Sequence, residues 1–206
     1  MSSQQLDKYI EEVKSEFNQI PDDRRAVLKQ LTAFVQTSIQ DKGKADLILI
    51  CTHNSRRSHL SQVWAQVAAF HFGINNVCTY SGGTEATAMY HMAAHALEKA
   101  GLEIKMLSEG KNPVYSIKYH HNEPAIIGFS KTYDDSFNVQ SGFAAVMTCS
   151  HADANCPFIP TASKRISLPF EDPKDYDGTP QQEEKYDERC KDIAREMLFV
   201  FSNVKS

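Results

Sequence analysis

The strongest constraint on how this chain folds is a single join. Asp46-Leu47-Ile48-Leu49-Ile50, short and branched as a buried strand should be, runs straight into the polar segment Cys51-Thr52-His53-Asn54-Ser55-Arg56-Arg57-Ser58. Leu60, Val63, Trp64, Val67 and Ala68 then recur at helical spacing until Gly73. Val77 to Ser81 reads as a second strand before a Gly82-Gly83 turn, so strand, loop, helix and strand form a βαβ unit.

The same alternation continues. His91 to Ala100 forms a helix stopped by Gly101, apolar runs return at Phe143 to Met147 and Ile166 to Leu168, and a last helix spans about Pro180 to Phe201. This pattern predicts an α/β domain on a parallel sheet. Val114 to Tyr119 and Ala125 to Tyr133 flank the polar turn His120-His121-Asn122-Glu123, which predicts an inserted β-hairpin over residues 112–135. Upstream, Leu6, Tyr9, Ile10, Val13, Phe17 and Ile20, then Val27, Leu28, Leu31, Phe34, Val35 and Ile39, make residues 1–44 an N-terminal helical hairpin. Lys42-Gly43-Lys44 punctuates the chain, and the main domain is expected over residues 45–206.

Composition narrows the function. At 206 residues the chain is one large domain, or one domain with an appendage. With 26 acidic and 22 basic side chains the formal charge is −4, which disfavours a nucleic-acid partner held by phosphate neutralisation. No segment reaches the ~18 apolar residues a membrane span requires, and MSSQQLDKYIEE lacks the features of a secretory signal. A soluble cytoplasmic protein is the expectation. Five cysteines, an odd number, point to reactive or buried thiols rather than a disulfide scaffold.

Cys51 is the thiol whose setting carries chemistry. A cysteine with an arginine six residues on is a weak signal by itself; position at a strand end and helix start raises it. Such a loop aims backbone N–H groups inward, the helix dipole adds positive charge, and a tetrahedral oxyanion is held there. Arg57 supplies a planar bidentate fork. Cysteines at helix N-termini beside cations have pKa values of about 3.5 to 7.5, which would make Cys51 a nucleophile at neutral pH. Ser58 can hydrogen-bond the sulfur and Asn54 can brace the loop. The plainer alternative is a buried thiol followed by a solvated basic turn.

Together with Tyr80-Ser81-Gly82-Gly83-Thr84-Glu85-Ala86, this loop resembles low-molecular-weight protein tyrosine phosphatases and the related thioredoxin-coupled arsenate reductases, over about residues 45 to 201. The resemblance implies a four-stranded parallel sheet with helices on both faces. It implies Cys51 as nucleophile, Arg57 as oxyanion clamp, and an anion-binding loop made of Thr52, His53, Asn54, Ser55, Arg56, Arg57 and Ser58. Asp172, in Phe170-Glu171-Asp172-Pro173, matches the family's general acid, with Asp175 and Asp177 as substitutes if the loop folds differently. The chain departs from the family where His53 and Arg56 replace a glycine and a second cysteine; a position with φ > 0 prefers glycine. Arg56 adds charge near the pocket or forms a solvated rim.

Thr148-Cys149-Ser150-His151-Ala152-Asp153-Ala154-Asn155-Cys156-Pro157 is similar to the paired-cysteine loop of the reductases. The resemblance implies that Cys149 attacks the Cys51–arsenic adduct, that Cys156 takes over the disulfide, and that thioredoxin reduces it. Alternatives are a strand-end core thiol at Cys149, or metal binding through Cys149, His151 and Cys156. The favoured reading is an arsenate reductase with no tightly bound cofactor and no metal. The alternatives are a phosphatase acting on phosphomonoesters through a phosphocysteine intermediate and a non-enzymatic oxyanion or redox sensor. Some relatives hold potassium through Asn, Ser and acidic residues; Asn54 and Ser81 match, but Gln62 stands at the acidic place. Cys78 and Cys190 are expected to pack in the interior, and His91, His95, His120 and His121 receive no role.

Overall fold

The computed structural model describes residues 4–155 and 158–205. Four strands, β1 (Ala45–Cys51), β2 (Val77–Gly83), β6 (Ala144–Met147) and β7 (Lys164–Ser167), form a parallel sheet in the order β2-β1-β6-β7. Parallel neighbours need crossovers, and helix α3 (Arg57–His71) supplies the one from β1 to β2. The central strand β1 is buried at every position, as its unbroken apolar run requires.

The two faces of the sheet differ in depth. Leu47 and Leu49 point into the principal core with α2 (Asp22–Lys42), α3 and α6 (Gln182–Ser202). Ile48, Ile50 and Cys51 point into a smaller cluster with Met147, Cys149, Ala152 and Ile159, closed by the short helix α5 (Ser150–Asn155). Helices thus flank both faces of the four-stranded parallel sheet, and the smaller cluster lies beneath the functional loop.

Several boundaries differ from the sequence expectation. The first helix, α1 (Gln4–Ser15), and α2 each pack on α6 rather than chiefly on one another, and α2 also lies against β1 and β7. The N-terminal helices therefore share the principal core instead of forming a separate hairpin. The expected hairpin at 112–135 is two strands of three. β3 (Glu103–Ser108) joins β4 (Val114–Lys118) and β5 (Ile126–Gly128) in an antiparallel sheet β3-β4-β5. β3 is mostly exposed; apolar and charged residues do alternate from Leu102 to Met106, a short strand signal absent from the sequence expectation. Residues 129–133 leave the hairpin and run beside the end of β2, bridging Gly83 to Thr132. The remaining helix, α4 (His91–Lys99), packs on α6.

Gly82 and Gly83 close strand β2 rather than forming a turn. A Cβ on Gly83 would sit 2.2 Å from the Glu85 carbonyl oxygen and 2.7 Å from that of Thr52, so only glycine allows β2 this close to the loop. β2 is also an edge strand, which leaves Cys78 exposed, contrary to the packing role expected of it. Cys190 is buried and receives a hydrogen bond from Trp64 Nε1 at 3.2 Å, and burial pushes its thiol up to about 12.

Candidate active site

The loop after β1 is held by its carbonyl groups. The Cys51 carbonyl accepts from Thr84 N at 3.1 Å, that of Thr52 from Glu85 N at 2.8 Å, and that of Ser55 from Tyr90 N at 2.9 Å. The His53 carbonyl accepts from Thr87 Oγ1 at 3.1 Å and Ser130 Oγ at 2.9 Å, and that of Arg56 from Leu60 N at 3.1 Å. The Asn54 carbonyl is 2.9 Å from His59 Nε2. Six successive carbonyls are thus turned outward, and the N–H groups of residues 53 to 58 have no protein acceptor among the described residues. Peptide groups fixed in this way present a ring of donors at a helix N-terminus, which is the electrostatic requirement for an oxyanion site.

Cys51 ends β1 at this ring, and its Sγ lies 3.1 Å from Ser58 Oγ. The same hydroxyl accepts from Asn54 Nδ2 at 2.8 Å, which leaves its own proton to point at the sulfur. A hydroxyl donating to sulfur stabilises the thiolate both as attacking group and as leaving group. Asn54 adopts the left-handed conformation, with φ 44°. The residue under φ > 0 is therefore Asn54 rather than His53, and asparagine tolerates that region well. Its Oδ1 accepts from Lys131 N at 2.9 Å, tying the loop to the segment beyond β5.

Two buried groups behind the loop escaped the sequence reading. His59 is fully buried, and burial, reinforced by the charge of Lys131, pushes its pKa down to about 3. A neutral ring donating from Nε2 to the Asn54 carbonyl leaves Nδ1 to accept from Ser81 Oγ, 3.2 Å away. Lys131 is 2 % exposed, and its ammonium lies over the rings of Phe129 and Phe137, at 4.5 and 5.3 Å from their centroids. Of the atoms matched to the potassium set, Asn54 Oδ1 accepts from Lys131 N–H and Ser81 Oγ lies against His59 Nδ1, while Gln62 donates to the Thr79 carbonyl and its Oε1 is buried without a hydrogen-bond partner.

Arg57 and Asp172 meet. The Arg57 guanidinium pairs with the Asp172 carboxylate and donates to the Phe170 carbonyl at 3.0 Å, while its Nε is buried without a partner. The other Asp172 oxygen accepts from Lys174 N at 3.1 Å and caps the turn Pro173–Tyr176. The two residues expected as clamp and acid are thus ion-paired with one another.

Arg56 corrects an expectation. Its side chain is neither part of the anion loop nor a solvated rim. It donates to the Tyr186 hydroxyl and the Asp177 carboxylate and lies 4.2 Å from the Tyr90 ring centroid, bracing α3 against α6. Asp177, the reserve acid, is consumed by this strut and by the Tyr186 hydroxyl. Asp175 is exposed in the turn after Asp172. Of Arg56 only the backbone N–H remains to the ring.

Cys149 follows β6 and is fully buried. Its Sγ is 3.4 Å from Thr52 Oγ1, the side chain next to Cys51, and it accepts from Ala152 N at 3.3 Å. Thr52 Oγ1 also meets His151 Nδ1 at 3.2 Å. Cys156 and Pro157, the end of the paired-cysteine loop, lie outside the described residues. Among the described residues no group of three His, Cys, Asp or Glu side chains is arranged to hold a metal.

Comparison with known proteins places this geometry. No family model matches the chain. An arsenate reductase of Bacillus licheniformis is 26 % identical over 160 residues, covering 78 % of this chain and 96 % of that protein. The crystal structure of a YwlE mutant from Bacillus subtilis superposes with a TM-score of 0.56 at 17 % identity, over 79 % of this chain and 100 % of that one. A mutant YwlE arginine phosphatase with a phosphorylated active-site serine superposes with a TM-score of 0.50 at 15 % identity, over 78 % of this chain and 96 % of that one. The fold is that of the low-molecular-weight phosphatases, and the chain has arsenate reductases among its sequence relatives.

Proposed function

We propose that this protein reduces arsenate to arsenite, using Cys51 as nucleophile in a loop of the kind that also serves phosphate ester hydrolysis. The observation that carries the proposal is the loop after Cys51, whose carbonyls from residue 51 to 56 are tied while its N–H groups stay without a protein acceptor among the described residues, with a second thiol, Cys149, held by the adjoining Thr52. The similarity to an arsenate reductase over nearly its whole length supports the choice of substrate.

The chemistry follows from the placement. Arsenate enters the ring, Arg57 exchanges part of its bond with Asp172 for the anion, and the Cys51 thiolate attacks arsenic. Released by Arg57, the Asp172 carboxylate takes a proton from the bound hydrogen arsenate and passes it to the departing hydroxyl, which leaves as water. Cys149 then attacks Cys51 Sγ. A Cys51–Cys149 disulfide forms, the sulfur–arsenic bond breaks, and its electron pair stays on arsenic as arsenite. Cys156 displaces Cys51 from Cys149, and an external dithiol of the thioredoxin class returns the two electrons. Such a reductant belongs to a reducing compartment, and we assign the protein to the cytoplasm on that ground. No helix among the described residues is long and apolar enough to cross a membrane.

Hydrolysis of phosphomonoesters is a second reading of the same site. Cys51 would attack phosphorus, Asp172 would protonate the leaving oxygen, and water would release phosphate from Cys51. It is favoured by a cleft of about 700 Å³ beside the loop, far larger than a tetrahedral anion needs. The test is the Cys149→Ser variant assayed with thioredoxin and its reductase. Arsenate turnover should be abolished while aryl phosphate hydrolysis persists; arsenate turnover equal to wild type would refute the relay.

A further inference from the structure

The cleft next to the loop carries more recognition chemistry than arsenate uses. One wall is the loop itself, at His53, Ser55 and Arg56; the others are residues 87–91, the β3–β4 tip at Gly110, Lys111 and Pro113, and Lys174 of the turn after Asp172. Its volume of about 700 Å³ falls within the range of pockets that enclose drug-sized organic molecules. The inserted antiparallel sheet therefore builds one side of the cleft.

The charged side chains of the lining, Arg56, Lys111 and Lys174, have one sign. His53 and His91 stand beside them, and no carboxylate lines the cleft among the described residues. Arg56 is neutralised by Asp177, and His53 has Glu85 at 3.7 Å. Lys111 and Lys174 are exposed and, among the described residues, have no carboxylate partner. This occurs on a chain of net charge −4. Two ammonium groups without carboxylate partners, in the walls of a cleft bounded on one side by His53, Ser55 and Arg56 of the loop, create a field that favours a second negative charge on the ligand.

We propose that the cleft binds phosphomonoesters whose organic part carries a second anionic group, with the phosphoryl group in the Cys51 loop and the second anion between Lys111 and Lys174. The inference rests on the loop being an oxyanion site and deepens the phosphomonoester reading of it. It assigns Lys111 and Lys174 to substrate choice rather than to bond breaking.

Titration of the Cys51→Ser protein with phenylphosphonate and with 4-carboxyphenylphosphonate tests it without requiring turnover. The carboxylated compound should bind about tenfold more tightly at low ionic strength, with the preference shrinking as salt rises. In a Lys111→Glu, Lys174→Glu double variant the ratio of the two affinities should fall to about one or below. If phenylphosphonate binds but the wild-type lining shows no preference for the carboxylate, or the preference survives in the double variant, the inference is overturned and the loop reading stands. If neither phosphonate binds, the loop reading itself fails and this inference falls with it.

Discussion

Lys131 illustrates how a single residue sets both the cost and the design of the site. Its ammonium is enclosed by Phe129 and Phe137 and has no hydrogen-bond acceptor among the described residues, although its backbone N–H holds Asn54 Oδ1. Burial lowers its pKa from 10.5 to about 8, with Asp135 acting in the opposite direction. Between these two values the unfolded chain holds a proton that the folded one has lost, so stability rises with pH through that window; below about 8 the full penalty is present. Lys131→Met keeps the backbone bond and fills the same space. It should raise stability at pH 7 by about 1 to 3 kcal/mol, and the gain should vanish as pH approaches 10.5. Denaturant unfolding of both proteins at pH 7 and pH 10 checks this, and an equal difference at the two pH values would refute the burial account. No sequence pattern marks Lys131, because a lysine among Ser130, Thr132 and Tyr133 reads as surface. Cys51, Ser58 and Arg57 were legible because local spacing alone places them, whereas the direction of the Arg56 side chain depends on Tyr186 and Asp177, more than 100 residues away.

Among the elements, α5 decides whether Cys149 can act. The helix is short and is fastened by Asp153, whose carboxylate pairs with Arg165 of β7 and accepts from Ser167 Oγ at 2.6 Å. Cys149 is fully buried, so a relay that carries its sulfur on to an outer thiol requires this fastening to yield. Asp153→Ala should cost only about 1 kcal/mol of global stability, since the pair is partly exposed, yet it should speed alkylation of Cys149 several-fold by easing local opening. Alkylation followed by peptide mass, in a Cys51→Ser background, measures it; an unchanged rate would mean that α5 opens by some other route. The strands β1, β2 and β6 and the helices α3, α4 and α6 were legible because each buries an apolar series of the proper period. β3 shows its alternation only from Leu102 to Met106, and residues 129–133 carry the aromatic and β-branched residues of a strand although Thr132 bridges Gly83 of β2 rather than extending the hairpin.

For the whole molecule, the open question is where the folding unit begins. The resemblance starts near residue 45, and helical periodicity upstream says only that two apolar faces must be buried, without saying on what. The structure places Leu6, Ile10, Leu28, Leu31 and Val35 in the same core as Leu47, Trp64 and Val200. Tyr9 stacks on Trp64 at 5.4 Å, Arg24 pairs with Glu196, and Gly101 lies so close to Leu6 that a Cβ there would be 2.4 Å from its backbone nitrogen. Each of these ties the N-terminal helices to elements of the catalytic half. Leu31→Ala should therefore cost about 2 to 5 kcal/mol, the ordinary range for emptying a core site, and a chain lacking residues 1–43 should lose cooperative unfolding and near-ultraviolet dichroism altogether. Arsenate or aryl phosphate turnover by that truncated chain, with a sharp thermal transition, would instead make the two helices an appendage. The reason to expect collapse is that removal uncovers one face of α6 and the α2 side of β1 and β7 together, an apolar surface far beyond what a monomer ordinarily exposes.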